Sequence, residues 1–206
     1  MRVLITVLFL FSFCFSGLLN AEQSPWQLRE NQGGIPVYTR KVAGSPILEY
    51  KANVIVNAPI RKVIALFEDE RQIRRWYFQC IHSELVENDG PKQKVIYLIL
   101  SMPWPFASRD FIFRRTKSED PASGTISYFL TALPDRLPLV KGMIRVQTIE
   151  SVWCFKSLPK GRTEIYLQQH TNPGGSIPIP VLNRSAELTP YNSLKNLRKL
   201  ITGKDA

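Results

Sequence analysis

Residues 179–201 read IPVLNRSAELTPYNSLKNLRKLI, and the architecture turns on this stretch. Val181, Leu182, Leu188, Tyr191, Leu194, Leu197 and Ile201 fall near helical spacing, while Arg184, Lys195, Arg198 and Lys199 occupy other faces. The pattern predicts an amphipathic helix from Ile179 to Ile201. Thr189-Pro190 is expected to kink or restart it, with Thr189 as N-cap and Pro190 at the first helical position. A helix with one apolar stripe needs a surface to lie on, and the chain before it offers strands.

Strand-like runs cover Ile35 to Val42, Ile47 to Val56, Phe78 to Val86, Lys94 to Met102, Arg109 to Lys117, Gly124 to Thr131, Ile144 to Phe155 and Thr163 to Thr171. Turn signals such as Asn88-Asp89-Gly90-Pro91 and Leu158-Pro159-Lys160-Gly161 separate them. The first two runs read as a hairpin. A helix then starts at Asn57-Ala58-Pro59, with Ile60, Val63, Ile64 and Phe67 on one face, and a short charged helix follows from Glu68 to Trp76. Tight connections between the later strands indicate an antiparallel meander rather than parallel βαβ units. The predicted fold class is α+β: a strongly curved antiparallel sheet folded around the C-terminal helix.

The N-terminus reads differently from the rest. Met1-Arg2, an apolar run from Val3 to Phe15, and Leu19-Asn20-Ala21 before polar Glu22-Gln23-Ser24 describe a secretory signal peptide cut after Ala21. Leu19 is a poor fit to the small residue usual three places before a cut, so an uncleaved anchor is the alternative. Cys14 follows Phe13, where a lipoprotein would need a small residue, and reads as part of the apolar run. Cleavage removes 21 of 206 residues and one arginine, leaving a 185-residue domain, residues 22–206, and lowering the net charge from +10 to +9. No repeat or Gly/Ser linker divides that domain.

The basic balance calls for an anionic partner. Export and scattered Lys and Arg, with no nucleic-acid-binding signature, exclude nucleic acid and leave transient contact with an anionic membrane surface. Cys80 and Cys154 would meet an oxidising compartment, where a bridge and two buried thiols are both open readings. His82 and His170 are isolated, and no metal set or cofactor loop is visible, so no metal or cofactor is expected.

Three patterns are similar to the steroidogenic acute regulatory protein-related lipid transfer family, the START domain. They are Ala107-Ser108-Arg109-Asp110-Phe111-Ile112-Phe113-Arg114-Arg115, then Lys141-Gly142-Met143-Ile144-Arg145-Val146, and the terminal helix ending Leu194-Lys195-Asn196-Leu197-Arg198-Lys199-Leu200. The resemblance covers nearly all of residues 25–201. It implies a helix-grip fold with an internal hydrophobic tunnel for a lipid or sterol-like ligand, carried by a monomer and exchanged at a membrane.

The residues themselves support a cavity. Lys94 to Met102 is apolar on both parities, so both faces should be covered. Arg109, Phe111, Phe113 and Arg115 share one parity, as do Thr163, Ile165, Leu167, Gln169 and Thr171, which gives a wall mixing apolar and polar groups. Arg115 matches a family arginine that pairs with a carboxylate on the preceding strand. Here Ile96-Tyr97-Leu98 offers none, so an inward Arg115 is expected to favour an anionic ligand group; exposure to water is the competing reading. Arg145 lines the tunnel or anchors a loop. Tyr97, Trp104, Trp153 and Tyr166 contact ligand or simply fill core, and Phe113 and Leu194 complete the candidate ligand-binding set. The apolar loops 102–106 and 133–140 suit membrane insertion or packing over the sheet end. Related helix-grip folds host hydrolases and cyclases, and an enzyme acting on a hydrophobic small molecule would use Glu150, Tyr97 or His170.

Overall fold

The protein was analysed as a computed structural model that describes residues 24–203, so the expected signal segment 1–21 lies outside the described residues. Ten strands form one sheet: β1 Gln27–Gln32, β2 Ile35–Val42, β3 Ser45–Val56, β4 Cys80–Asn88, β5 Gln93–Leu100, β6 Arg109–Asp120, β7 Thr125–Ala132, β8 Ile144–Arg145, β9 Thr148–Leu158 and β10 Arg162–Asn172. Their order is β1-β2-β3-β10-β9-β7-β6-β5-β4, antiparallel throughout except for β8, which runs parallel beside β6. Between β3 and β4 stand α1 (Ile60–Glu68), a 3-10 turn (Glu70–Gln72) and α2 (Ile73–Trp76). The long α3 (Ile179–Thr202) closes the chain.

Alternation sets the curved wall. On β10, Thr163, Ile165, Leu167 and Gln169 are buried while their neighbours are only partly so. α3 lies on the concave side, chiefly against β3 and β2. Its Ala186, Leu194, Leu197 and Ile201 are buried, and each Leu or Ile contributes about 1.5–3 kcal/mol on leaving water. Two side chains fix its seat: Asn183 Oδ1 accepts from Leu48 N (3.1 Å) and Ser193 Oγ accepts from Phe78 N (3.0 Å). α3 is continuous where a restart was expected. Pro190 sits buried inside it, leaving the Ala186 carbonyl without its usual helical donor, and the packing on both sides carries the helix through.

One other expectation is corrected. The run Ile144 to Phe155 divides, because Arg145 is held by Asp110 on β6 and keeps β8 there, while β9 begins at Thr148 between β10 and β7. β1 had no readable signal: Gln27–Gln32 is polar and exposed at the sheet edge, so neither parity is apolar.

Cys80 and Cys154 are free thiols. They stand on β4 and β9, with three strands between them, roughly 19 Å along the sheet at about 4.8 Å per step. A disulfide needs Cα atoms within about 7 Å. They also face opposite ways: Cys80 belongs to the buried core, whereas Cys154 meets Ser127 Oγ at 3.4 Å on the convex side. Burial pushes the Cys80 thiol up to about 11. Iodoacetamide near pH 8 is therefore expected to label Cys154 first and Cys80 only after unfolding. Denatured, unreduced protein that took up no label on either would contradict this arrangement.

Candidate ligand-binding hollow

Two hollows meet inside the curve of the sheet. The deep one is lined almost wholly by apolar groups, among them Phe67, Trp76, Ile96, Leu98, Phe113 and Trp153. The other, partly open, lies under the first half of α3 between Tyr50, Gln79, Met102, Arg109, Leu182 and Thr189. Tyr77, Leu100, Phe111 and Gln169 line both and form a common waist. An aromatic group packs the deep end: the Phe67 ring lies 4.7–5.7 Å from Trp76, Tyr128, Trp153 and Phe155. α1 thus plugs one end of the passage and α3 covers the other.

Arg115 reaches the deep hollow, only 5% exposed, but the expectation of an arginine without a fixed acid is overturned. Its Nη2 donates to Glu70 Oε1 (2.5 Å) and its Nη1 to the Phe67 carbonyl (3.2 Å). The acid comes from the 3-10 turn after α1 instead of a neighbouring strand, so β-strand register could not reveal it. Lys94 Nζ joins the same carboxylate oxygen at 3.1 Å. Beside them Tyr128 Oη donates to Glu68 (2.6 Å), and burial, aided by that carboxylate, pushes the phenol strongly up. The charge of Arg115 is committed to holding the α1 segment on the sheet.

Two other arginines of the motifs, Arg145 and Arg109, anchor loops. Arg145, which the sequence left between tunnel lining and loop anchoring, anchors: it pairs with Asp110 (2.7 Å), both nearly inaccessible, and donates to the carbonyls of Pro134, Leu137 and Pro138. Arg109 donates to Pro173, Gly174 and Ala107 carbonyls, gathering the segment that leads into α3. Gly175 completes this corner: its φ is +70°, and a Cβ there would lie 2.6 Å from Ile144 Cδ1 and 3.0 Å from Arg109 Nη2.

Of the remaining candidates, Phe113 and Trp153 line the deep hollow. Tyr97 and Tyr166 do not line either hollow. Tyr97 points to the outer side of β5, buried with Val95 and Ile112 beneath Leu133 and Leu137. Tyr166 has the parity opposite to Ile165 and Leu167 and bonds Gln168 outside. Trp104 is 93% exposed at a loop tip, and Leu194 is fully buried where α3 meets the core, lining neither hollow. Glu70, Tyr50, Tyr77 and Leu100 were missed. For Tyr50 the signal existed in the inward parity of β3, shared with Ala52 and Val54. Glu150 is exposed and His170 bonds Ser45 Oγ on the convex side, so with Tyr97 all three residues weighed for catalysis stand away from the hollows. Among the described residues no cluster of three His, Cys, Asp or Glu is placed to hold a metal.

The START domain family profile matches residues 15–202. A crystal structure of a STAR-related lipid transfer protein from Xanthomonas axonopodis superposes with a TM-score of 0.79 at 32% identity, covering 85% of this chain and 98% of that one. An uncharacterised protein of Pseudomonas aeruginosa is 32% identical over 96% of this chain and 97% of its own length. The phosphatidylcholine transfer protein of Rattus norvegicus is 26% identical over 84% of this chain and 82% of its own.

Proposed function

The chain belongs to the START domain family, and from that premise we propose that it is a non-catalytic carrier which takes one lipid or sterol-like molecule into the paired hollows and exchanges it at a membrane. The observation that carries this reading is the pair of adjoining hollows, the deep one almost wholly apolar and the outer one mixed, which share Tyr77, Leu100, Phe111 and Gln169 beneath α3. Exposing sixteen methylenes to water costs about 12 kcal/mol at about 0.8 kcal/mol each, which slows the escape of a lipid from a bilayer. A passage as apolar as the bilayer lowers that barrier without making or breaking a bond.

The membrane-facing end follows from the same geometry. The 101–108 loop carries Trp104, the 133–143 loop carries Leu139 and Val140, and α3 begins at Ile179; all four side chains are exposed. The first two loops are joined where Ile144 N donates to Ser108 O (3.0 Å), close to the corner held by Arg109 and Gly175. These apolar tips, with exposed Lys141 among them, suit an anionic interface for a monomer of net positive charge. Residues 1–21 are read as the export signal, which gives a mature N-terminus at Glu22 and a periplasmic or secreted location; the intact mass of the purified protein reads this directly.

The test is transfer of NBD-labelled phosphatidylcholine, and separately dehydroergosterol, from phosphatidylglycerol-containing donor vesicles to acceptor vesicles. Transfer of at least one probe well above the protein-free rate is expected, slowing as salt rises through about 0.15 M to 1 M. Rates equal to the blank for both probes would overturn the carrier reading.

A further inference from the structure

Buried polar atoms without partners concentrate in the passage. Among the described residues Trp76 Nε1, Ser151 Oγ, Thr171 Oγ1 and Arg198 Nε are buried without a hydrogen-bond partner in the protein, whereas the Tyr50 phenol meets that of Tyr77, which also meets Gln169. Tyr50, Trp76 and Thr171 line one hollow or the other. Ser151 shares the buried parity of Ile149 and Trp153 on β9, which line the deep hollow, and stands behind that lining rather than in it. Only Arg198, whose Nη1 holds the Gly33 carbonyl, lies elsewhere. A buried polar group without a protein partner is served by water or by a ligand, and Trp76 and Thr171 present two such groups to the hollows.

Register places three of the polar side chains in a row. Tyr50 on β3 pairs with Gln169 on β10, and Gln169 pairs with Ser151 on β9. Each is more than nine-tenths buried. The row crosses the wall at the waist, where Gln169 lines both hollows, and Tyr77 faces it from the link after α2. Burial pushes the Tyr50 and Tyr77 phenols up, so both stay neutral donors and acceptors. No charged side chain belongs to this row: Arg109, which lines the outer hollow with Tyr50, is held by the carbonyls of Ala107, Pro173 and Gly174, and Arg115 in the deep hollow is committed to Glu70.

We propose that Tyr50, Ser151 and Gln169 form a neutral hydrogen-bonding collar that selects ligands with an uncharged polar group, an ester, amide or hydroxyl, at the waist of the passage. The apolar tail then fills the deep hollow toward Phe67 and Trp153, and the remainder of the molecule lies under α3. This rests on the carrier reading and adds to it an orientation and a chemical class. It also reverses the expectation from the sequence that Arg115 would hold an anionic headgroup.

Displacement of Nile red by hexadecane, methyl palmitate, 1-hexadecanol and palmitate separates the possibilities. Methyl palmitate and 1-hexadecanol should displace the dye at least about tenfold better than hexadecane, and palmitate should gain nothing over its methyl ester. Tyr50→Phe and Ser151→Ala should each cut the ester preference about three- to tenfold, as expected for a lost hydrogen bond. Ser151→Ala removes an orphaned atom, so it should melt no lower than the parent, which separates a lost contact from a damaged fold; Gln169→Leu gives a third readout. Equal displacement by hexadecane and methyl palmitate, or a preference unchanged in all three variants, would overturn the collar while leaving the carrier reading intact. Tighter binding of palmitate than of its ester would overturn it in favour of an anion site. Failure of every probe to bind would remove both.

Discussion

Glu70→Ala is expected to destabilise the protein by about 3–5 kcal/mol, because it leaves the Arg115 guanidinium buried without its counter-charge. In a domain of this size that lowers the melting temperature by about 6–20 °C. The carboxylate also receives Lys94, but Lys94 is partly exposed and can turn to water, whereas Arg115 has only backbone carbonyls left within its reach. Arg115→Met should cost much less, since its long apolar side chain can pack on Phe67 and Tyr128, whose rings lie 5.5 and 5.7 Å from the guanidinium carbon. The double variant Glu70→Ala with Arg115→Met should recover part of the loss, and thermal denaturation of the four proteins closes the cycle. If Glu70→Ala melted within a degree of the parent, the ion pair would have no structural role, and an anionic ligand at Arg115 would again be open.

Leu100→Trp is expected to abolish lipid uptake. Leu100 belongs to the waist and lines both hollows, so an indole there blocks the passage at its common wall. Overpacking typically costs about 1–3 kcal/mol, which the partly exposed position of Leu100 should hold near the lower end. Vesicle transfer should therefore fall more than tenfold while circular dichroism and the melting temperature change little. A variant that transfers at the parent rate would show that ligand does not pass between the two hollows.

Much of the fold was legible because its elements are locally consistent. β2 was placed residue for residue, and β10 within a residue at each end, by strict alternation between turn signals. Both-sided burial of β5 was readable from its unbroken apolar run, and the two covers are now identified: the hollow over Ile96 and Leu98, the 133–137 loop over Val95 and Tyr97. What failed was everything set by distant partners. Arg145 and Tyr97 had the composition of tunnel residues, but a parity argument cannot say which face of β5 the loop from Leu133 will cover. Arg115 pointed inward as expected, yet its acid came from a 3-10 turn 45 residues earlier, a contact with no period to read. Pro190 follows the same rule: its local preference to start a helix loses to the packing of Ala186, Ser193 and Leu194 on either side. The waist was half visible, in that Gln169 was grouped by parity, while Tyr50 and Ser151 become neighbours only through the pairing of β3, β10 and β9.

The central claim is that the passage carries lipid, and native mass spectrometry of the protein purified from a lipid-containing host tests it most directly. The account predicts a population heavier than the apoprotein by the mass of one lipid, stripped by organic extraction, recovered on incubation with vesicles and lost in Leu100→Trp. A protein that remains at its apoprotein mass from the host and after incubation with vesicles would contradict it.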